Sequence, residues 1–215
     1  AAGSLTLSQA VPLVRLRAEA MQAAVPVGTG AMAAILGMPA DQVVAHCQAV
    51  QQTFAPTSGE VVEAVNFNDP NQTVIAGSKT AVEQAMAVIK AAGAKRALPL
   101  PLSAPFHSSL MRPAAEKLAT YLASVSLLPP QIPVLNNIDV AAPTDPIAIK
   151  DALVRQAFGP VRWVESVQTL AAKGVTKMVE CGPGKVLTGM VKRIAPTVVA
   201  VCAYDPPSLA EALAA

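Results

Sequence analysis

The sequence predicts a mixed α/β protein with a large core and a smaller insert. Apolar residues make up 53% of the 215 residues and aromatic residues only 3%, a composition that suits helices packed on a sheet. Short strand-like runs alternate with segments of helical period. Near the C-terminus a strand, the turn "GPG", a helix and a second strand follow one another, as in a parallel α/β sheet.

The first part of the core, residues 1–27, is predicted to be mainly a helix from Leu7 to Ala24. Its apolar residues recur at helical spacing among charged ones. Ser8 is the predicted N-cap, and Pro12 is close enough to the first turn to be tolerated. The helix is then ended by "VPVGTG".

The insert is predicted over residues 28–100, where six elements occur in the order β-α-β-β-α-β. The strands are "AMAAILGM", "VVEAVNF", "QTVIAG" and "KRALPL", and the helices span 41–52 and 80–92. A turn sequence, "NDPN", joins the two middle strands. This order is that of a ferredoxin-like subdomain.

The core is predicted to resume over residues 101–215, with helices at 111–124, 147–158 and 163–172. The strand "KMVEC", a helix, the strand "TVVAVCA" and a terminal helix follow. The segment "CGPGK" resembles a phosphate loop only in part, because the first Walker glycine is missing and Val186 replaces the Ser or Thr. A tight turn from strand to helix is the preferred interpretation.

Charge and cysteine content exclude several classes of protein. The net charge is only +2, and the acidic and basic residues are interspersed along the chain. This pattern predicts no nucleic-acid partner and no anionic-membrane partner. Two uncharged runs, 21–40 and 118–138, are interrupted by proline or glycine, so neither is a predicted membrane span. The three cysteines are widely spaced, which predicts reduced thiols in the cytoplasm and no metal site. Cys181, beside a strand end, is expected to be buried.

His107 is the residue with the clearest candidate chemistry. Prolines on both sides present its ring from a defined loop, a pattern equally compatible with a general base and with a structural histidine. A base requires a nucleophile, yet none of the eleven serines lies in a G-x-S-x-G elbow. Ser108 and Ser109 are adjacent to His107 in sequence, which does not give triad geometry. The residues therefore indicate a base without a partner.

Six segments spread over the whole chain add a family resemblance. They are "LRAEAMQAAVPVGTGAMAAILG", "VNFNDPNQTVIAG", "GAKRALPLPLSAPFHSSLMRPAAEKLA", "PVLNNIDV", "LVRQAFGPVRWVESV" and "ECGPGKVLTGMVKRI". Together they resemble the bacterial malonyl-CoA:acyl carrier protein transacylase family. The resemblance implies an α/β-hydrolase-like core with a ferredoxin-like insert. It also implies a "GHSLGE" nucleophile elbow ahead of Ala1, so we expect the chain to be a fragment; the alternative is a homologue without the nucleophile.

The activity implied by the resemblance is malonyl transfer from malonyl-CoA to the phosphopantetheine thiol of acyl carrier protein in fatty acid biosynthesis. The implied mechanism is ping-pong through a seryl ester, without a metal or other cofactor, in a cytoplasmic monomer. Two alternatives remain open. One is a catalytically inactive module that binds CoA or the carrier protein, and the other is a thioester hydrolase on the same core.

Four residues match the catalytic part of the family pattern. His107 matches the base, and Gln156 matches the residue whose backbone carbonyl replaces the third member of the triad. Arg17 matches the arginine that pairs with the malonyl carboxylate; an exposed helix arginine is the alternative. Phe106 matches the bulky residue before the histidine that leaves little room for an α-methyl branch.

Four further residues match the periphery of the family site. Asn68 and Gln72 resemble insert residues that face the cleft, although an Asx-turn role is equally open. Lys192 and Arg193 resemble a basic pair presented to the acidic carrier protein. A solvated helix C-terminus, where cations favour the helix dipole, is the alternative for this pair.

Overall fold

A computed structural model describes residues 1–102 and 104–214 and confirms the mixed α/β class. Most elements begin and end within two residues of their predicted bounds. In chain order they are α1 Leu7–Gln22, β1 Gly30–Leu36, α2 Ala40–Gln51, β2 Val62–Asp69, β3 Gln72–Ser78, α3 Lys79–Ala91, β4 Arg96–Pro99, a 3-10 turn Ser109–Met111, α4 Arg112–Ser124, α5 Pro146–Phe158, α6 Trp163–Ala172, β5 Lys177–Cys181, α7 Val186–Ile194, β6 Val199–Ala203 and α8 Pro206–Ala214.

Helix α1 is capped by Thr6, so the predicted N-cap Ser8 is wrong. The Thr6 hydroxyl accepts the Gln9 N–H at 3.3 Å, and the Gln9 side-chain oxygen accepts the Thr6 N–H at 2.9 Å, which forms a capping box. The backbone of Thr6 is extended, as a cap requires, whereas Ser8 already lies inside the first turn.

Residues 28–100 contain the predicted element order and form a four-stranded sheet. The strand order is β2-β3-β1-β4 and every pair is antiparallel. Helices α2 and α3 cover one face. The apolar side chains between these helices and the sheet are almost fully buried; they include Ile35, Val43, Ile75, Val82 and Ile89.

The opposite face of this sheet is apolar and lies against the core. Met32, Val65 and Val74 form a buried patch there, and Phe106 packs on it. Val161 pairs with the free edge of strand β2 in an isolated β-bridge. Its N–H donates to the Val65 carbonyl at 2.8 Å, and its carbonyl accepts the Phe67 N–H at 3.0 Å. The sheet therefore contacts the rest of the protein at two places. One is Phe106, in the loop before α4, and the other is Val161, in the segment before α6.

The core has two parts. Helices α1, α4 and α5 pack around Leu13, Leu118 and Leu122. Strands β5 and β6 form a parallel pair, as predicted, with α7 between them in sequence. None of the helices in the described ranges is long and apolar enough to cross a membrane.

The segment "CGPGK" forms the tight turn between β5 and α7. Gly182 and Gly184 adopt backbone φ angles of +132° and +98°, which residues that have a Cβ rarely adopt. The Glu180 carboxylate accepts both the N–H and the hydroxyl of Thr188, each at 2.7 Å. An acidic group at this helix start opposes phosphate binding. The neighbouring Cys181 is exposed, so its expected burial is wrong.

The capping box gives a direct test of α1. Thr6→Ala removes the cap, and we expect it to lower the free energy of unfolding by about 1 kcal/mol. Ser8→Ala is the matched control: it removes only an exposed contact of 2.9 Å between the Ser8 and Thr6 hydroxyls and leaves the capping box, so its effect should stay below about 0.5 kcal/mol. Urea unfolding followed by circular dichroism measures both. Equal losses in the two variants would contradict the assignment of the cap.

Candidate active site

His107 lies on a strained and well-held loop between β4 and the 3-10 turn. Its φ of +66° is in the left-handed region, which costs a residue other than glycine about 1–3 kcal/mol. The next residue, Ser108, is fully buried, and its hydroxyl donates to the Pro105 carbonyl at 2.6 Å. The Met111 N–H donates to the Ser108 carbonyl at 2.9 Å. Ser108 thus stabilises the loop through these two hydrogen bonds, and its hydroxyl is not directed at the imidazole.

The imidazole of His107 is oriented by the main chain of Gln156, the residue that the family resemblance indicated. Nδ1 lies 2.8 Å from the main-chain oxygen of Gln156. A carbonyl can only accept, so Nδ1 bears the proton and Nε2 keeps its lone pair. This tautomer leaves Nε2 able to take a proton from a nucleophile.

The Gln156 carbonyl is available because of the residues that follow it. In a continuing helix it would accept the N–H four residues later, but that residue is Pro160, which has none. Gly159 ends α5, where a Cβ would clash with Ile138 and lie 2.9 Å from the Arg155 carbonyl. The Gln156 amide donates to the Gly159 and Pro160 carbonyls at 3.1 Å each, which closes the helix end. Sequence reasoning missed both residues, although a proline four positions after Gln156 is a local signal.

Burial lowers the pKa of His107 below its ordinary value. The hydrogen bond to the Gln156 carbonyl raises the pKa in part, the positive charge of Arg17 lowers it, and a weaker backbone hydrogen bond to Gly159 raises it slightly. The ring is therefore neutral at pH 7, in the form that acts as a base. The pKa of His107 is lower in the folded chain than in the unfolded chain, so the unfolded chain binds the proton more readily. The free energy of unfolding should therefore decrease as the pH falls below about 6.5.

Arg17 is a half-buried cation without a counter-ion among residues 1–102 and 104–214. Desolvation lowers its pKa, but an arginine remains charged at neutral pH. Arg15, two residues earlier on the same helix, is exposed and pairs with Glu19 at 2.9 Å. Arg17 thus differs from an ordinary surface arginine, and its charge is felt at His107. An uncompensated cation at this place suits an anionic ligand.

Phe106 has its position fixed by packing on both sides. It contacts the cluster of Met21 and Met111 in the core and the patch of Met32 and Val65 on the sheet. The ring therefore lies at the junction of the two parts of the molecule, directly before His107 in the chain.

Asn68 and Gln72 lie near the turn between β2 and β3. Asn68 falls within a register shift of β2, and Gln72 pairs with Asp69. No hydrogen bond within the described ranges joins either side chain to His107, so their predicted place in the cleft stays a prediction. The Asx turn considered for Asn68 is made by Asp69, whose carboxylate accepts the Asn71 N–H at 2.9 Å.

The two basic residues predicted at the end of α7, Lys192 and Arg193, have different surroundings. Arg193 donates to the Asp69 carboxylate at 2.8 Å, and the Asp69 side chain is only 10% exposed. Arg193 therefore ties α7 to the β2–β3 turn instead of offering a free charge. Lys192 is exposed and has no ion pair within the described part of the chain.

The described residues provide no nucleophile hydrogen-bonded to His107, whose imidazole is bonded to the main chain at the end of α5, chiefly to the Gln156 carbonyl. They also contain no group of three His, Cys, Asp or Glu side chains arranged to hold a metal ion. The arrangement consists of a neutral base of fixed tautomer, a half-buried cation and an apolar wall. It can accept a proton and bind a carboxylate.

The coupling between Arg17 and His107 can be measured directly. Arg17→Met keeps much of the side-chain volume and removes the charge, so we expect the pKa of His107 to rise toward its ordinary value. Arg15→Met on the same helix should leave that pKa unchanged. Titration by NMR is simple because His46 is the only other histidine. An equal shift in both variants would show that Arg17 has no special proximity to the ring.

Comparison with known proteins agrees with these observations. The acyl transferase domain family matches residues 1–203. The malonyl CoA-acyl carrier protein transacylase of Escherichia coli K12 is 51% identical over 212 residues, which cover 99% of this chain and 67% of that protein. The crystal structure of the acyl-carrier-protein S-malonyltransferase of Burkholderia pseudomallei matches with a TM-score of 0.95 at 58% identity, covering 100% of this chain and 68% of that one.

A further solved structure holds a malonyl-transacylase in complex with its type II PKS acyl-carrier protein. It matches with a TM-score of 0.93 at 48% identity and covers 99% of this chain and 67% of that one. The chain thus spans about two thirds of the length of these relatives. The family match over residues 1–203 and the 51% identity over 212 residues lead to one conclusion: the chain belongs to the acyl transferase domain family, among the malonyl CoA-acyl carrier protein transacylases.

Proposed function

We propose that this protein transfers a malonyl group from malonyl-CoA to the phosphopantetheine thiol of acyl carrier protein, in fatty acid biosynthesis. The observation that supports this best is the half-buried, uncompensated Arg17 close to the neutral His107. A base and a carboxylate site in one place suit an acyl group that ends in a free carboxylate. The names of the relatives, which are malonyl transferases, point to the same substrate.

We further propose that residues 1–27 and 101–215 belong to an α/β-hydrolase-like core and that residues 28–100 form a ferredoxin-like insert. The sheet order β2-β3-β1-β4 and the parallel pair β5–β6 support this division. The reacting serine is proposed to come from a segment outside residues 1–215. The hydroxyl of the nearby Ser108 supports this, because it is buried and donates to Pro105.

In the first half-reaction, Nε2 of His107 takes the proton of the serine hydroxyl as its oxygen attacks the thioester carbonyl. The bond between the carbonyl carbon and sulfur then breaks, and the imidazolium returns the proton to the CoA thiolate. Nδ1 keeps its proton on the Gln156 carbonyl throughout. A carbonyl stabilises the imidazolium less than a carboxylate would, which matches a base that need not hold its proton for long.

In the second half-reaction, the same Nε2 takes the proton of the phosphopantetheine thiol. The sulfur attacks the seryl ester, the new thioester forms, and the serine oxygen leaves with the proton from His107. These steps require proton transfer and a covalent ester only. We therefore propose that no metal or redox cofactor takes part.

Arg17 accounts for acyl selectivity in this proposal. A guanidinium can form two parallel charged hydrogen bonds to the malonyl carboxylate, each worth about 1.5–3 kcal/mol. An acetyl group would leave Arg17 unpaired, and sites of this kind reject such analogues by about 10⁴. A bound carboxylate also offsets the charge that lowers the pKa of His107, so the correct substrate strengthens its own base. The packed ring of Phe106 would exclude an α-methyl branch.

The decisive experiment is intact mass spectrometry after incubation with malonyl-CoA. The protein expressed together with the segment proposed to carry the serine, here called the full chain, should gain one malonyl group. Peptide mapping should place this group on a serine outside residues 1–215. Residues 1–215 expressed alone should remain unmodified. An unmodified full chain would overturn the transfer reaction in favour of a module that only binds CoA or the carrier protein. A malonyl group on Ser108 or Ser109 would instead refute the external nucleophile.

Acyl preference is tested in the same assay. Arg17→Ala should lose malonyl labelling and gain acetyl labelling from acetyl-CoA relative to the unaltered protein. Arg15→Ala is the matched control and should keep the malonyl preference. An unchanged ratio in Arg17→Ala would remove this residue from the acyl site.

Carrier-protein docking is proposed for the end of α7, where Lys192 and Arg193 lie. The relative solved with its carrier protein supports a partner of this kind. Because Arg193 already pairs with Asp69, Lys192 supplies the free charge. Rim charges act mainly on the association rate and are screened by salt.

The test is the effect of Lys192→Glu on the KM for the carrier protein. We expect a rise of about tenfold at low salt that shrinks at 0.5 M salt, with the KM for malonyl-CoA unchanged. Lys173→Glu, an exposed lysine at the end of α6, is the control. Equal effects of the two substitutions would show a nonspecific charge effect and refute docking at α7.

A further inference from the structure

Glu63 contacts the His107 loop from the sheet. Its neighbour Val62 is buried in the cluster under α2 and α3, so the alternation of a strand directs Glu63 to the opposite face. That face lies against the core. There the Glu63 carboxylate accepts the N–H of Ser109 at 2.7 Å. None of the ion pairs found in the described ranges includes Glu63, and the Ser109 N–H is the hydrogen-bond donor that its carboxylate contacts there.

The N–H of Ser109 is one that a helix start leaves without a partner. Ser109 opens the 3-10 turn that leads into α4. The preceding residue, Ser108, would ordinarily cap this end with its side chain, but it makes no such hydrogen bond, and its hydroxyl instead donates to the Pro105 carbonyl. Glu63 therefore caps the helix start from another part of the molecule, and its negative charge suits the positive end of the helix dipole.

His107 lies between two fixed points. Its ring is held by the Gln156 carbonyl, and its backbone is held two residues later by Glu63. A φ of +66° persists only where the surroundings impose it. Glu63 supplies the one charged hydrogen bond to the backbone of this loop within the described ranges.

We propose that Glu63 is a positioning residue: by accepting the Ser109 N–H it holds the loop in the conformation that aims Nε2 of His107 at the nucleophile. This rests on the proposed role of His107 as the base. It also gives the insert a direct contact with the catalytic loop, since Glu63 is on β2 and Ser109 precedes α4. The sequence alone offered no sign of the contact, because 46 residues separate the two partners.

The experiment compares Glu63→Ala, Glu63→Gln and the control Glu83→Ala in the full chain. Glu83 is an exposed glutamate on α3. Glu63→Ala should lower kcat for malonyl transfer about tenfold with little change in the KM for malonyl-CoA, because misplacing a reacting group slows the chemical step. Glu63→Gln keeps an acceptor oxygen without the charge and should restore kcat to within about threefold. Glu83→Ala should have no effect.

A second readout follows His107 itself. In Glu63→Ala the freed loop exposes the ring to water, so the NMR titration midpoint of His107 should rise toward its ordinary value. A purely structural loss would lower the thermal stability without moving this midpoint.

Ser109→Pro tests the same hydrogen bond from its donor. The extended backbone of Ser108 is compatible with a following proline, and a proline is tolerated at the first position of a helix. We expect this variant to resemble Glu63→Ala and the double variant to be no worse than either single one.

The proposal is overturned if Glu63→Ala keeps both kcat and the His107 midpoint, or if it loses no more than Glu83→Ala. Additive losses in the double variant would also overturn it. These outcomes are separate from failure of the proposed function. That failure would appear as a lack of malonyl transfer by the unaltered protein.

Discussion

The hydrogen bond from Nδ1 of His107 to the main-chain carbonyl of Gln156 is the constraint on which the site depends. It fixes the tautomer and leaves Nε2 with its lone pair free. The bond requires a helix that ends at the right residue, because a carbonyl in mid-helix is already occupied. Pro160 removes the competing donor and Gly159 lets the chain turn away. Two residues with no functional groups of their own thus create the acceptor for the base.

The helix that presents this carbonyl is itself anchored. Arg155, next to Gln156, forms two hydrogen bonds to the Asp139 carboxylate at 2.7 and 2.8 Å and one to Asp151 at 2.6 Å. Arg162 donates to the Ile138 carbonyl at 3.2 Å. These contacts hold the loop around Asp139 against the end of α5. Because the pairs are largely exposed, they contribute geometry more than stability.

The site lies where the four-stranded sheet meets the core, and the joint is made by contacts of different kinds. Phe106 packs into both apolar clusters, Glu63 caps the helix start after His107, and Arg193 pairs with Asp69. Two of these contacts, those of Phe106 and Glu63, are made beside His107 in the chain and so also shape the surroundings of the base.

The sequence by itself determined the local structure: the types and order of the elements, the turn at "CGPGK" and a histidine presented from a proline-bounded loop. Those features depend on periodicity and turn residues within a few positions. The family resemblance supplied the Gln156 contact. Only the tertiary structure decided that Arg17 lacks a counter-ion, that Arg193 is tied to Asp69 and that Glu63 reaches Ser109. Arg193 and Asp69 are 124 residues apart in the chain, and contacts of that range leave no local pattern to recognise.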